Sequence, residues 1–294
     1  MTEIKREAIL AKKKTVLDFL KMKEAGERFV ELALYDYTSA VLAEQAGLEM
    51  ILVGDSMGNV VYGYDGTVPV RMDQMIYHAQ AVRKGAPNVF VVGDLPFLSY
   101  QTSVEDAVRN AGRFYKEAGM DAVKLEGGKQ MAPQVRAIAD AGMLVMAHIG
   151  LTPQSSAQMG GFRVQGNTAE AALRVLGDAL ALQEAGVFMV LLEGVPAETG
   201  KLVTERLRVP TISVGAGPYC DGQAVLLSDL IGMYPVFTPK FVKRYATLGE
   251  QVVKAVSDFV AETKSGAYPA PEHCYKMKEG EMERLETMLK ASGK

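Results

Sequence analysis

Short apolar, β-branched runs recur along this chain, and longer stretches with helical spacing lie between them. The runs are FVELAL (29–34), EMILVG (49–54), NVFVVG (88–93), DAVKLE (121–126), MLVMAH (143–148), FMVLLE (188–193) and PTISVG (210–215). A weaker eighth, GMYPVF (232–237), contains Pro235, which cannot donate to a strand ladder. Between them, 38–47, 104–119 and 168–186 place apolar residues three or four apart and close on Gly47, Gly119 and Gly186. A glycine there is a helix stop, where the chain turns left-handed. Near-continuous apolar strands alternating with helices predict a parallel sheet covered on both faces. Eight such units predict an α/β fold, a (β/α)8 TIM barrel. An open doubly wound sheet is the alternative, but no GxGxxG follows the first strand, which argues against a dinucleotide site.

The two ends read as additions to one barrel domain spanning 1–294. Residues 1–24 form a basic amphipathic helix expected on the barrel surface, and 266–294 a charged, peripheral helical tail. Composition narrows the function classes. A formal net charge of −3 gives no basic footprint for nucleic acid or anionic lipid. No apolar run reaches the roughly 18 residues of a membrane span. The N-terminus lacks the apolar core of a signal peptide. Two cysteines, Cys220 and Cys274, outside any CxxC pair, argue against a thiolate zinc site or disulfide framework and make a cytoplasmic location the expectation.

The strand ends carry the chemistry. The second run stops at Asp55 and Ser56, the third at Asp94, the fourth at Lys124 and Glu126, the fifth at His148, the sixth at Glu193, and the seventh at Ser213 with a glycine pair. Lys124 and Glu126, two apart in a strand, share a face. Each alone reads as a cap, a turn residue or a salt-bridge partner. Together, at equivalent positions of a barrel, they read as one site at the C-terminal mouth. Asp55, Asp94 and Glu126 suit a hard cation such as Mg²⁺, which acts as a Lewis acid on a carbonyl. Lys124 offers a fixed positive charge to a carboxylate, and Glu193 and His148 stand as acid/base candidates. The set suggests enolisation, aldol addition or its reverse.

Longer segments carry a resemblance. LYDYTSA, LVGDSMG, MIYHAQAVRKGAPN, VVGDLPFLSY, AVKLEGG, HIGLTPQS, GGFRVQG, LLEGVP, SVGAGPYCDGQ, PKFVKRY and SGAYPAPEH, over about residues 15–277, resemble the ketopantoate hydroxymethyltransferase family. That family lies in the phosphoenolpyruvate mutase/isocitrate lyase superfamily, whose lyases carry a KKCGH-type motif absent here. The resemblance implies transfer of a one-carbon unit from 5,10-methylenetetrahydrofolate to 3-methyl-2-oxobutanoate, giving ketopantoate for pantothenate and coenzyme A synthesis. It implies Mg²⁺ on Asp55, Asp94 and Glu126, keto acid on Asp55, Ser56, Asp94 and Lys124, Glu193 as proton acceptor, and a decameric assembly. His148 lies in an active-site motif without an assigned role.

Tyr64, Gly66, Ser156, Ala157 and Gly194 depart from the residues more usual in the family, and the tail beyond Met277 is longer. None removes an implied ligand. The departures keep two alternatives open: a folate-independent aldolase or lyase on another 2-oxo acid, and an oligomeric binding protein without catalysis.

Overall fold

The computed structural model describes residues 13–293. In chain order the elements are α1 (Val16–Ala25), β1 (Phe29–Ala33), α2 (Tyr37–Gln45), β2 (Met50–Val53), α3 (Met57–Val60), α4 (Met72–Gly85), β3 (Phe90–Asp94), α5 (Val104–Ala118), β4 (Ala122–Glu126), α6 (Ala132–Asp140), β5 (Val145–Gly150), α7 (Ala169–Ala185), β6 (Met189–Glu193), α8 (Ala197–Arg206), β7 (Thr211–Val214), β8 (Gly222–Leu226), α9 (Leu227–Leu230), α10 (Leu248–Ser265) and α11 (Glu281–Ala291). The eight strands close into a parallel barrel in sequence order. This is the (β/α)8 architecture the apolar pattern predicts. The predicted glycine stops hold: Gly119 and Gly186 cap α5 and α7 in the left-handed region, while Ser103 and Thr168 cap their first turns.

The eighth strand is a correction. Residues 232–237 form no strand, and β8 is GQAVL instead, pairing with β7 and β1. Only seven residues separate β7 from β8, and no helix lies between them. A reading that expects a helix before every strand therefore passes over 222–226. Gly222 permits the closure, since a Cβ there would stand 2.4 Å from the Phe29 ring.

Register fixes which side chains enter the barrel. Lys124 pairs with Asp94 and Met146, and Glu126 with His148. Since alternate residues share a face, Asp94, Lys124, Glu126 and His148 all point inward. The opposite, N-terminal end is closed by apolar rings. Phe19 of α1 meets Phe29 and Phe90 edge-on at 5.2 and 5.3 Å, and Phe90 meets Phe188 at 5.7 Å. The N-terminal helix thus plugs the barrel base with Phe19 and Met22 rather than lying on its wall, and residues 1–12 of its expected span fall outside the described residues.

The expected single domain with a tail from 266 meets an earlier boundary. The chain falls into two compact units, one through Ala246 and one from Thr247 to Lys294, so α10 groups with α11. Among the described residues, no helix is long and apolar enough to cross a membrane.

Candidate functional site

At the C-terminal mouth the strand ends bring seven predicted residues together. Asp55 and Ser56 follow β2, Asp94 ends β3, Lys124 and Glu126 end β4, His148 lies in β5 and Glu193 ends β6. Lys124 Nζ donates to Asp94 Oδ2 at 2.8 Å and to Glu126 Oε1 at 3.2 Å. Asp94 Oδ2 also accepts the Asp55 backbone N–H at 3.0 Å. His148 stands between two carboxylates, Nδ1 3.4 Å from Glu126 Oε1 and Nε2 3.3 Å from Glu193 Oε2. Neither contact meets hydrogen-bond geometry in full, yet both carboxylates favour the protonated imidazole. Gly150 lets the ends of β5 and β6 approach, with φ +90° and space for no Cβ beside the Glu193 carbonyl. Ser56 Oγ lies 2.8 Å from the Tyr35 hydroxyl.

Ser213 is not part of this cluster. Its neighbour Ile212 pairs with inward-facing Leu191, so Ser213 faces away from the barrel interior. There its hydroxyl accepts the Ala216 N–H at 2.9 Å as a turn residue.

Burial and mutual charge set the protonation of the cluster. Burial pushes Asp55 well above the usual carboxylate range, and the Asp94 charge adds to it. Burial also raises Asp94, against the opposing pull of Lys124. For Glu126, burial acts upward, but Lys124 and His148 outweigh it and draw it down to about 2. Burial and Lys124 disfavour a charged His148, yet the flanking Glu126 and Glu193 hold it up at about 9. Lys124 stays charged because Asp94, Glu126 and Asp55 outweigh its burial. Glu193 is the more open carboxylate, its side chain 20% exposed against 1% for Glu126.

Three residues escaped the sequence reading. Gln154, buried just past β5, gives its Nε2 to Asp55 Oδ2 at 2.9 Å and its backbone N–H to Glu126 Oε2 at 3.0 Å. Tyr100 donates to Gln154 Oε1 at 2.7 Å and accepts the Glu126 N–H at 3.1 Å. Their signal lay within HIGLTPQS and VVGDLPFLSY, where polar side chains follow a strand end closely. The third, Glu31 of β1, is fully buried, and among the described residues neither oxygen has a hydrogen bond. Burial lifts it to about 8.

The donor set can be tested for a cation. Among the described residues, no three carboxylate, imidazole or thiol groups form a ready-made cage. Asp94 Oδ1, however, is buried and accepts no hydrogen bond among the described residues, which makes it available as a ligand. Asp55 and Asp94 repel each other across this space. A hard cation that takes one or two protein carboxylates and fills its shell with water and substrate fits that arrangement.

Fold and site together define a class: a (β/α)8 enzyme whose acid-rich site is built from strand ends. A family model described as ketopantoate hydroxymethyltransferase matches residues 13–271, and the chain belongs to that family. It is 54% identical over 266 residues to the 3-methyl-2-oxobutanoate hydroxymethyltransferase of Alkaliphilus metalliredigens, covering 90% of this chain and 94% of that one. It is 56% identical over 255 residues to the enzyme of the same name from Moorella thermoacetica, covering 87% and 95%. The chain is accordingly an enzyme, a hydroxymethyltransferase. Among solved structures, phosphonopyruvate hydrolase with oxalate and Mg²⁺ superposes with a TM-score of 0.58 at 15% identity, covering 97% of this chain and 100% of that one. A 2,3-dimethylmalate lyase of the PEP mutase/isocitrate lyase superfamily gives 0.56 at 18%, covering 95% and 97%. These two likenesses carry the fold.

Proposed function

We propose that the enzyme transfers a hydroxymethyl group from 5,10-methylenetetrahydrofolate to 3-methyl-2-oxobutanoate, forming ketopantoate for pantothenate and coenzyme A synthesis. The observation that carries this reading is the interlocked Asp55, Asp94, Lys124, Glu126, His148 and Glu193 at one mouth, in a chain of this family. Asp55 and Asp94, with Glu126 behind them, would hold Mg²⁺. Bound there, the ion supplies Lewis-acid polarisation of the keto carbonyl.

The chain's own residues do the rest. Lys124 provides positive charge beside the keto-acid carboxylate, and the Ser56 hydroxyl, oriented by Tyr35, donates to it. Glu193 takes the C3 proton on the oxygen turned away from His148, while its Oε2 stays against the imidazole. His148, held protonated up to about pH 9, holds that carboxylate by its Oε2 and leaves the other oxygen to accept. Water opens the donor's methylene bridge: both C–N bonds break, tetrahydrofolate leaves with the protons, and the one-carbon unit is set free at the aldehyde level. C3 then adds to that carbon, and its oxygen takes up a proton to become the new hydroxyl.

A homo-oligomer, a decamer by resemblance, belongs to the same reading. Val252, Val256, Phe259 and Val260 are exposed along α10 at helical spacing, an apolar stripe that a neighbouring copy would cover. A cytoplasmic location fits the two unpaired cysteines.

The test is incubation with Mg²⁺, 3-methyl-2-oxobutanoate and the folate donor. Ketopantoate is the expected product. Absence of both product and C3-proton exchange in heavy water would overturn the reading. Activity with free formaldehyde alone would replace it by the folate-independent aldolase.

A further inference from the structure

Beside the charged cluster lies a cavity of about 240 Å³ whose walls come from the segments after β4 and β5 and from one face of α7. Its polar lining includes Gln130, Thr152, Gln158, Gln165, Arg174 and Asp178. Backbone bonds tie it to the strands that carry the acid/base pair. Gly127 N–H donates to the His148 carbonyl at 3.0 Å, Leu151 N–H to the Glu193 carbonyl at 2.8 Å, and Gln165 N–H to the Gly194 carbonyl at 2.9 Å. A larger cavity of about 450 Å³ is lined by Gly215, Gly217, Pro218 and Gln223 on the helix-free side of β7 and β8. None of the clustered charged residues lines either cavity, but only the smaller includes Gly127 and Gly150, which respectively adjoin Glu126 in β4 and pair with Glu193 in β6.

The smaller cavity is wrong for the keto acid, whose tail is a branched hydrocarbon. Its side chains instead match a flat ring with polar edges. Asp178 is packed against Gly128, where a Cβ would stand 2.3 Å from its carboxyl carbon. Its Oδ1 accepts the Lys129 N–H at 3.0 Å, and among the described residues Oδ2 accepts no hydrogen bond. An acceptor flanked by glutamine amides suits a ring edge that carries adjacent N–H donors. Arg174 lies one turn of α7 before Asp178 and is exposed, placed for an anionic group that extends to solvent. The volume falls short of the roughly 300–1,000 Å³ usual for a whole drug-sized ligand, so it holds a ring and leaves the rest outside.

We propose that this cavity seats the heterocyclic end of the one-carbon donor, with Asp178 and the glutamines on its polar edge and Arg174 at its anionic tail. The proposal rests on the folate-dependent reading above.

Steady-state kinetics on three variants test it, with 5-formyltetrahydrofolate as a stable binding probe. Asp178→Asn keeps an acceptor for the Lys129 N–H, so the local fold is retained. It is expected to raise the donor KM tenfold or more, with the keto-acid KM within twofold. Ala171→Leu narrows the cavity without removing a polar group and is expected to raise the donor KM in the same way. Arg174→Ala, at an exposed site, is expected to raise it about threefold. If wild type transfers normally and both Asp178→Asn and Ala171→Leu keep the wild-type donor KM, the seat is elsewhere. Donor and keto-acid KM rising together would also overturn it. Wild-type protein that exchanges the C3 proton, yet neither transfers from the donor nor binds 5-formyltetrahydrofolate, overturns the folate reading itself and the seat with it.

Discussion

Lys124 and Glu31 both bury a titratable group inside the same barrel, and their surroundings differ completely. Lys124 is held by Asp94 and Glu126, which are in turn engaged by Asp55, Gln154, Tyr100 and His148. Glu31 faces the interior from β1, and among the described residues neither oxygen has a hydrogen-bond partner. Within the cluster Lys124, Glu126 and His148 stay charged, because each has an opposite charge beside it that outweighs its burial, while Asp55 and Asp94 are raised. The lone carboxyl takes up a proton instead, and its pKa climbs to about 8. Burial alone is therefore a poor mark of function, and a connected set of opposite charges at strand ends is a better one. By that measure the mouth is the candidate site and Glu31 is a cost carried beneath it.

Substitutions can break or sharpen this contrast. The largest effect is expected from Asp94→Ala, which removes the acceptor shared by Lys124 and the Asp55 N–H together with the free Oδ1. Metal-dependent C3-proton exchange should fall by about 10³-fold, and retained exchange would remove Asp94 from the ligand set. Lys124→Met should lower exchange by about 10²-fold. It should also lower the melting temperature, because Asp94 and Glu126 are left buried without their cation. A variant with unchanged melting would show that the ion pairs are not the support described here.

Glu31→Gln should do the reverse. The folded-state pKa of Glu31, about 8, lies above its ordinary 4.5. Its neutral form therefore favours the fold: the stability linked to it is complete below about pH 4.5 and drains away as pH rises to 8. The variant should gain on the order of 2 kcal/mol near pH 8.5 and little near pH 5, with exchange activity retained. Thermal melts at the two pH values check this, and an equal change at both would mean that Glu31 has a partner. Ser56→Ala should have the smallest effect, about a fivefold rise in the keto-acid KM from one lost hydroxyl.

The site was legible in the sequence because its residues interrupt apolar strands at equivalent places. One polar residue after a strand is ambiguous, whereas Asp55, Asp94, Glu126, His148 and Glu193 in five successive barrel units are not. Gln154 and Tyr100 were not legible in the same way. Their role depends on two loops folding back across the mouth to meet Asp55 and Glu126, which no local period encodes. Strand β8 was missed because its connection from β7 dispenses with a helix, while GMYPVF offered a stronger apolar run despite Pro235. Glu31 shares its face with Phe29 and Ala33, so alternation could have placed it inward. Nothing local marked it as unpartnered.

The central claim is that the strand-end cluster is a metal-dependent enolising site with Glu193 as its base. The direct measurement is loss of the C3 proton signal of 3-methyl-2-oxobutanoate in heavy water, followed by NMR without any one-carbon donor. Wild-type protein with Mg²⁺ should exchange the proton, chelation should stop the exchange, added Mg²⁺ should restore it, and Glu193→Gln should fail under all three conditions. Exchange that survives chelation, or that proceeds in Glu193→Gln at the wild-type rate, would contradict the account.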